Sequence, residues 1–144
     1  MTAGGPLAIT SPRLGRVELT EAQLIDFDGL PGFAELRRFA VVQHDRESPF
    51  GWLLSVERPE LALLVADPRL FFPNYRPELE PAHLRALGAG DDDELDLLAI
   101  GRIEDGALCL NLAAPVVVNA RNRRGVQAIL ERGGWSTHEI VPHK

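Results

Sequence analysis

Short apolar segments recur along the whole 144-residue chain, and clusters of Gly, Pro, Asp and Asn separate them. In residues 50–56, large apolar side chains alternate with smaller ones, which places one set on each face of a strand. Residues 61–66 are apolar on both faces and stop at an Asp-Pro pair, as expected of a strand buried on both sides. This repeated pattern is the feature that most restricts the possible folds, because it predicts many strands and few helices.

The pattern predicts about nine short strands and a single short helix near residues 81–87, which Pro81 can begin and Gly88 can end. No alternation of strands with long helices is present. The sequence therefore predicts an all-β, mostly antiparallel fold, either a small barrel or a sandwich. We expect a single β domain over residues 13–141, a flexible leader over 1–12 and a short tail over 142–144.

The overall charge argues against nucleic acid as a direct partner. Asp and Glu number 21 against 15 Lys and Arg, so the formal net charge is -6, which would repel a phosphate backbone. No apolar run approaches the ~18 residues of a membrane span, and no signal peptide opens the chain. The lone Cys109 cannot form an internal disulfide. We therefore expect a cytoplasmic protein that does not bind membranes and is monomeric without its partners.

The sequence contains no enzyme motif that we can recognise. No G-x-S-x-G segment and no phosphate-binding glycine loop is present. Cys109 lies within a predicted strand, where a thiol usually behaves as a small buried hydrophobe. The four histidines lack the spacing of metal ligands; they are His44, His83, His138 and His143. We therefore predict no catalytic residue, no metal and no cofactor.

One segment, residues 67–77, has the composition of a partner surface. Phe71, Phe72 and Tyr75 cluster there with Asn74 between prolines that interrupt a regular strand, and loops of aromatic side chains often contact partners. In that case, replacing Phe72 or Tyr75 with Ala would weaken a complex and leave the melting temperature nearly unchanged. The alternative is that Phe71 and Phe72 cover an open end of the core.

A second segment, residues 111–130, sets an apolar run against a basic, amide-rich break. It predicts a strand over 116–119, a turn, and a return strand over 126–130 that Gly125 helps to begin. Arg121, Asn122 and Arg123 lie at the turn, where Asn side chains can bond nearby backbone. The turn is mainly a feature of the fold, with contact to a partner as a secondary interpretation.

Five segments in the same order resemble the flagellar assembly factor family, FliW. They are GLPGF (29–33), LSVERPELALLVADP (54–68), FFPNY (71–75), NLAAPVVVN (111–119) and NRRGVQAIL (122–130). Together they extend over nearly all of the predicted domain. Two positions depart from the family pattern: Leu54 replaces a common Gln, and Ala113 replaces a common Lys.

The resemblance implies a small barrel-like fold and a non-enzymatic adaptor with two partners, flagellin and the translational regulator CsrA. In this scheme, free FliW binds CsrA and relieves its repression of flagellin translation, and new flagellin captures FliW and releases CsrA. The candidate contacts are Phe71, Phe72, Asn74, Tyr75, Arg121, Asn122 and Arg123. Two other hypotheses remain: a barrel that binds single-stranded nucleic acid or oligosaccharide through Trp52, Phe72 and Tyr75, and an enzyme whose site only the fold assembles.

Overall fold

The computed structural model describes residues 7–27, 30–43, 48–131 and 133–141. These residues form one α-helix, α1 (Pro81–Leu87), and two single 3₁₀ turns, Glu21–Gln23 and Pro68–Leu70. The strands in this described part are β1 (Leu7–Ser11), β2 (Gly15–Leu19), β3 (Leu24–Phe27), β4 (Arg38–Gln43), β5 (Phe50–Ser55), β6 (Ala62–Ala66), β7 (Leu95–Glu104), β8 (Ala107–Leu110), β9 (Val116–Asn119), β10 (Arg124–Gln127) and β11 (Glu139–Ile140).

Nine of these strands form one sheet that closes on itself. The strand order is β11-β8-β7-β6-β5-β4-β3-β10-β9, and β9 also pairs with β7, so the strands from β7 to β9 make a barrel. Neighbouring strands are antiparallel except β10 and β3, which run parallel. The predicted all-β, mostly antiparallel fold is confirmed, and the barrel describes it better than an open sandwich.

Alternate side chains of the barrel strands point inward and form the main core. This core is built around Ile25, Phe27, Phe39, Leu53, Val65, Val116 and Val118. The rings of Phe27 and Phe39 meet edge to face, with centroids 5.3 Å apart. The loop after β3 adds Leu30 and Leu36 to the same cluster and so closes one end of the barrel.

The leader predicted over residues 1–12 is wrong for residues 7–11, which form β1 and pair with β2 from Leu7↔Leu19 to Ser11↔Gly15. Gly15 has φ +76°, a conformation that suits glycine in the tight turn between the two strands. Ile9 and Leu19 are buried against the outside of the barrel, and this apolar contact holds the hairpin in place. Residues 1–6 and the predicted tail, 142–144, lie outside the described residues.

The predicted helix is confirmed at residues 81–87. Pro81 occupies its first turn, and Gly88 ends it in the left-handed conformation with φ +59°. The backbone N–H of Glu80 donates to Nδ1 of His83 at 3.0 Å, which satisfies one group at the start of the helix. Leu87 is fully buried against Val117 and Ala128, so α1 is fixed to the outside of the barrel.

The return strand begins earlier than the sequence predicts. β10 starts at Arg124, opposite Asn119, and ends at Gln127, whereas we expected it over 126–130. Gly125 faces the barrel interior, where a Cβ atom would lie 2.7 Å from the ring of Phe27 and 2.8 Å from Ile25. Glycine therefore allows β10 to lie against the core at this point.

We predict that Gly125→Ala lowers the free energy of unfolding by about 1–3 kcal/mol, because the added methyl group overpacks the core. Chemical denaturation followed by circular dichroism measures the change. Gly90→Ala is the matched control, since its Cβ would meet only a carboxylate oxygen of Asp93 at 3.9 Å. Equal stability of the two variants would show that the core has room at Gly125.

Candidate functional site

The aromatic segment at residues 71–75 forms a second apolar layer on the outer face of the barrel. Tyr75 is 1% exposed, and its hydroxyl donates to the carbonyl of Leu112 at 2.7 Å. Its ring meets that of Trp135 edge to face at 4.7 Å. Phe71 stacks on Phe50 at 5.6 Å. These contacts cover the outward-facing side chains of the sheet, and burial raises the pKa of the Tyr75 phenol.

The expectation that Tyr75 lies on the surface as a partner contact is therefore wrong. Its large apolar ring packs against Leu110 and Leu112, and its hydroxyl donates to a buried carbonyl. Phe71 and Phe72 are half-buried against the same cluster, while Asn74 is exposed. The interpretation of this segment as a cover for apolar surface holds for its rings. Partner contact through Phe72 and Asn74 stays a prediction.

The turn at residues 119–124 is fastened to the end of α1. Asn119 is fully buried, and its Nδ2 donates to the carbonyl of Leu87 at 3.2 Å and to Oδ2 of Asp93 at 3.0 Å. Its Oδ1 accepts the backbone N–H of Arg121 at 3.0 Å. Asn122 donates to the same Leu87 carbonyl at 2.9 Å. These bonds satisfy carbonyl groups that the helix end leaves open.

Arg121 completes this arrangement by a two-pronged ion pair. Its Nε and Nη2 lie 2.8 and 3.0 Å from the two carboxylate oxygens of Asp93, and Nη2 also donates to the carbonyl of Gly88 at 2.9 Å. The hydrogen bond to Arg121 holds the pKa of Asp93 well below its usual range. Arg121 and Asn122 thus have their polar groups engaged within the fold, which favours the structural interpretation of the turn.

The four acidic residues at positions 91–94 have different environments. Asp91, Asp92 and Glu94 are exposed to solvent. The side chain of Asp93 is only 12% exposed and is bound to Arg121. Sequence reasoning missed Asp93, because four consecutive acidic residues give no sign of which one turns inward.

Arg123 differs from its neighbours in the turn. It has φ +59°, a left-handed conformation that is unusual for a residue with a side chain. Its Nη2 donates to the carbonyl of Gln23 at a long 3.3 Å. Its Nε is buried and has no hydrogen-bond partner among the described residues. The guanidinium of Arg123 therefore keeps unused bonding capacity.

Arg123 lines a cleft of about 320 Å³ at the open end of the barrel, which we call the barrel mouth. The apolar side chains of this cleft come from β3, β4, β7 and β9, and they are Ile25, Val41, Leu97, Leu98 and Val118. Its charged side chains are Asp67, Arg69, Asp96 and Arg123. The barrel mouth thus brings together the two segments singled out in the sequence, through Asp67 and Arg69 of one and Arg123 of the other.

A second cleft, of about 320 Å³, lies on the outer face and is almost entirely apolar. We call it the outer groove, and its lining consists of Ser48, Phe50, Trp52, Leu64, Ile103 and Leu108. Ile103 is 65% exposed. β6 and β7 pair only at Val65↔Ile100 and Ala66↔Ala99, after which the β7–β8 hairpin diverges from β6 and opens the groove.

A third cleft, of about 530 Å³, is acidic. We call it the acidic cleft, and its lining consists of Glu78, Leu79, Glu80, Pro81 and Glu131. Among the described residues that line it, three carry carboxylates and none is basic, which suits cations or a basic protein. Leu79 of this cleft packs against the cluster of Leu87, Val117 and Ala128, so the acidic cleft lies beside α1.

The described residues hold no group of three or more His, Cys, Asp or Glu side chains placed to bind a metal ion. Within the same residues, no helix has the length and apolar character that a transmembrane span requires. Cys109 is 4% exposed within β8. The described surface includes three open clefts of different polarity: mixed, apolar and acidic.

Such a molecule belongs to the class of small closed β-barrels that carry a helix on one side and an aromatic layer on the other. Its sequence matches the FliW protein family over residues 8–141. It is 35% identical to the flagellar assembly factor FliW of Thermotoga neapolitana over 137 residues, which cover 92% of each chain. The chain therefore belongs to the FliW family of flagellar assembly factors.

Two further comparisons agree. The flagellar assembly factor FliW 2 of Desulfotalea psychrophila is 36% identical over 132 residues, 90% of this chain and 87% of the relative. A crystal structure of the flagellar assembly factor FliW superposes with a TM-score of 0.88 at 29% identity, over 95% of this chain and 98% of the other. The resemblance noted in the sequence is confirmed at the level of family and fold.

We predict that Tyr75→Phe lowers the free energy of unfolding by about 1–2 kcal/mol, because the buried Leu112 carbonyl loses its donor while the ring stays packed. Urea unfolding measures the loss. Asn74→Ala is the control, since its side chain is exposed next to the same layer. A Tyr75→Phe protein as stable as the parent would contradict the contribution of this hydrogen bond.

A second prediction concerns acid stability. Because the folded pKa of Asp93 lies below the ordinary 3.8, its carboxylate stabilises the fold fully above about pH 4 and progressively less as the pH falls. Asp93→Asn should lower the melting temperature at pH 7 and flatten its decline below pH 4. Asp92→Asn, at an exposed position, should leave both unchanged. Parallel acid profiles for Asp93→Asn and the parent protein would refute this role.

Proposed function

We propose that this chain is a non-enzymatic, cytoplasmic adaptor that switches between flagellin and a CsrA-type translational regulator. The observation that carries the proposal is membership of the FliW family over nearly the whole chain. In this scheme the free adaptor binds CsrA and relieves its repression of flagellin translation. Newly made flagellin then captures the adaptor, and the released CsrA represses again.

The acidic cleft supports binding of CsrA. An RNA-binding protein carries basic side chains, and three glutamates of one cleft in a chain of net charge -6 complement them. Such complementarity speeds association and selects the partner, and salt weakens it. Glu78 is exposed, and so is Asn74 on the other side of the buried Tyr75, so both can contribute to this surface.

The outer groove supports binding of flagellin. A terminal segment that is unstructured before assembly can bury an apolar face in a groove, or add a strand to an open sheet edge. The outer groove offers both, because Leu64 and Ile103 line it from two strands that have just diverged. The apolar surface of Ile103 and Trp52 would be removed from water in the complex.

The aromatic segment links the two surfaces physically. Phe71 stacks on Phe50, which lines the outer groove, and Glu78 of the same connection lines the acidic cleft. A partner that moves Phe50 would disturb this stack and the chain that follows it. We infer that occupation of one surface weakens the other by about 5- to 150-fold, the usual range of coupling between sites.

Because the two surfaces are different, we predict that separate mutations weaken binding to flagellin and binding to CsrA. Ile103→Asp should weaken binding to flagellin at least ~10-fold, because it places a charge in an apolar interface. Glu78→Gln combined with Glu131→Gln should weaken binding to CsrA and reduce its dependence on salt. Isothermal titration calorimetry with each purified partner from the same genome measures both.

Each variant is the control for the other, since all three positions are outside the barrel core. Loss of both partners in either variant would contradict separate surfaces. Failure of the parent protein to bind flagellin or CsrA would contradict the adaptor itself. Salt-sensitive retardation of RNA by the purified protein alone would support the nucleic-acid hypothesis instead, although Tyr75 is buried and not available for base stacking.

A further inference from the structure

The barrel mouth has features that the flagellin and CsrA surfaces do not use. Its charged side chains are Asp67, Arg69, Asp96 and Arg123, over an apolar floor. Asp67 accepts the backbone N–H of Arg69 at 3.0 Å. The side chains of Arg69 and Asp96 have no hydrogen bond or ion pair within the described part of the chain. Charges that the fold leaves free around a cleft are available to a ligand.

Arg123 shows which ligand group fits. Burying a charged N–H without an acceptor is costly, yet Nε of Arg123 is buried and unbonded among the described residues. The bond from Nη2 to Gln23 is long at 3.3 Å. Nε and one Nη of an arginine form a parallel pair of donors that matches the two oxygens of a carboxylate. A carboxylate that enters the barrel mouth would occupy both donors after a small shift of the guanidinium.

The four charged side chains form the rim of the barrel mouth, and this rim also selects against other anions. A phosphate carries more negative charge than a carboxylate, and Asp67 and Asp96 at the same rim repel it more strongly. Two arginines and two aspartates leave the rim formally neutral, which suits a singly charged group and disfavours a polyanion. The charges of the rim therefore favour a carboxylate over a nucleic acid.

The floor and the extent of the cleft indicate what the carboxylate is attached to. Val41, Leu97 and Leu98 are half-buried at this cleft, and an apolar neighbour of the carboxylate would cover them. A further cleft of about 210 Å³ shares Val41, Asp67 and Leu98 with the barrel mouth and continues toward Pro49. An elongated cleft of this kind fits an extended chain better than a compact molecule.

We propose that the barrel mouth binds an apolar peptide segment that carries a carboxylate, which Arg123 holds side-on and Arg69 supports with a second positive charge. The carboxylate comes either from the end of a chain or from an Asp or Glu side chain. The proposal stands apart from the switch between flagellin and CsrA, since Arg69 and Arg123 line neither the outer groove nor the acidic cleft and neither partner is needed to test it.

Titration of the ¹⁵N-labelled protein with three peptides tests the proposal. N-acetyl-Leu-Leu has a terminal carboxylate, N-acetyl-Leu-Glu-Leu-amide has a side-chain carboxylate, and N-acetyl-Leu-Leu-amide has none. We expect at least one acid to shift the Nε–H resonance of Arg123 and to bind at least ~10-fold more tightly than the uncharged amide, each 10-fold being 1.4 kcal/mol. The acid that binds more tightly identifies the source of the carboxylate. Equal binding of acids and amide would overturn the proposal.

Variants of the two arginines give a second test. Arg123→Lys keeps the charge but loses the paired donors, so it should bind the preferred acid ~10-fold more weakly. Arg69→Gln changes an exposed side chain, so the fold is preserved and binding should fall a few-fold. Arg102→Gln, on the β7–β8 hairpin, is the control and should bind normally. Unchanged binding in both Arg123→Lys and Arg69→Gln, or an equal response to inorganic phosphate, would overturn the assignment.

Discussion

The antiparallel pairing of β9 with β7, from Leu95↔Asn119 to Leu98↔Val116, closes the sheet. This closure separates an interior that is filled by alternate side chains from an exterior that must be covered by other parts of the chain. α1 covers one part of the exterior, the β1–β2 hairpin a second, and the aromatic segment a third. The outer groove is the part of the exterior near β6 and β7 that these covers leave accessible.

The same closure explains why the turn after β9 is so heavily bonded. β9 must meet β7 on one side and β10 on the other, so the chain reverses within four residues at the end of the barrel. Asn119, Arg121 and Asn122 bind this turn to the end of α1 and to Asp93. The basic character of the segment thus serves local geometry, and only Arg123 is left facing the barrel mouth.

Sequence reasoning predicted the β class, the position of α1 and most strands, because these depend on local alternation and on Pro and Gly at element ends. It predicted wrongly where long-range packing decides. The sequence of residues 7–11 has no periodicity of its own, and these residues form a strand because Ile9 and Leu19 pack against the barrel. Tyr75 looks like a surface aromatic until the Leu112 carbonyl and Trp135 lie beside it. The barrel mouth could not be predicted, since Asp67, Asp96 and Arg123 meet only after closure.

β7 contributes to two clefts through opposite faces. Asp96 and Leu98 turn toward the barrel mouth, while Ile103 turns toward the outer groove. Successive residues of a strand alternate between faces, so Asp96 and Leu98 lie on the face opposite to Ile103. A shift of register by one residue would exchange the two sets. Evolution can therefore vary Asp96 at the barrel mouth and Ile103 at the outer groove separately, although both lie on a single strand.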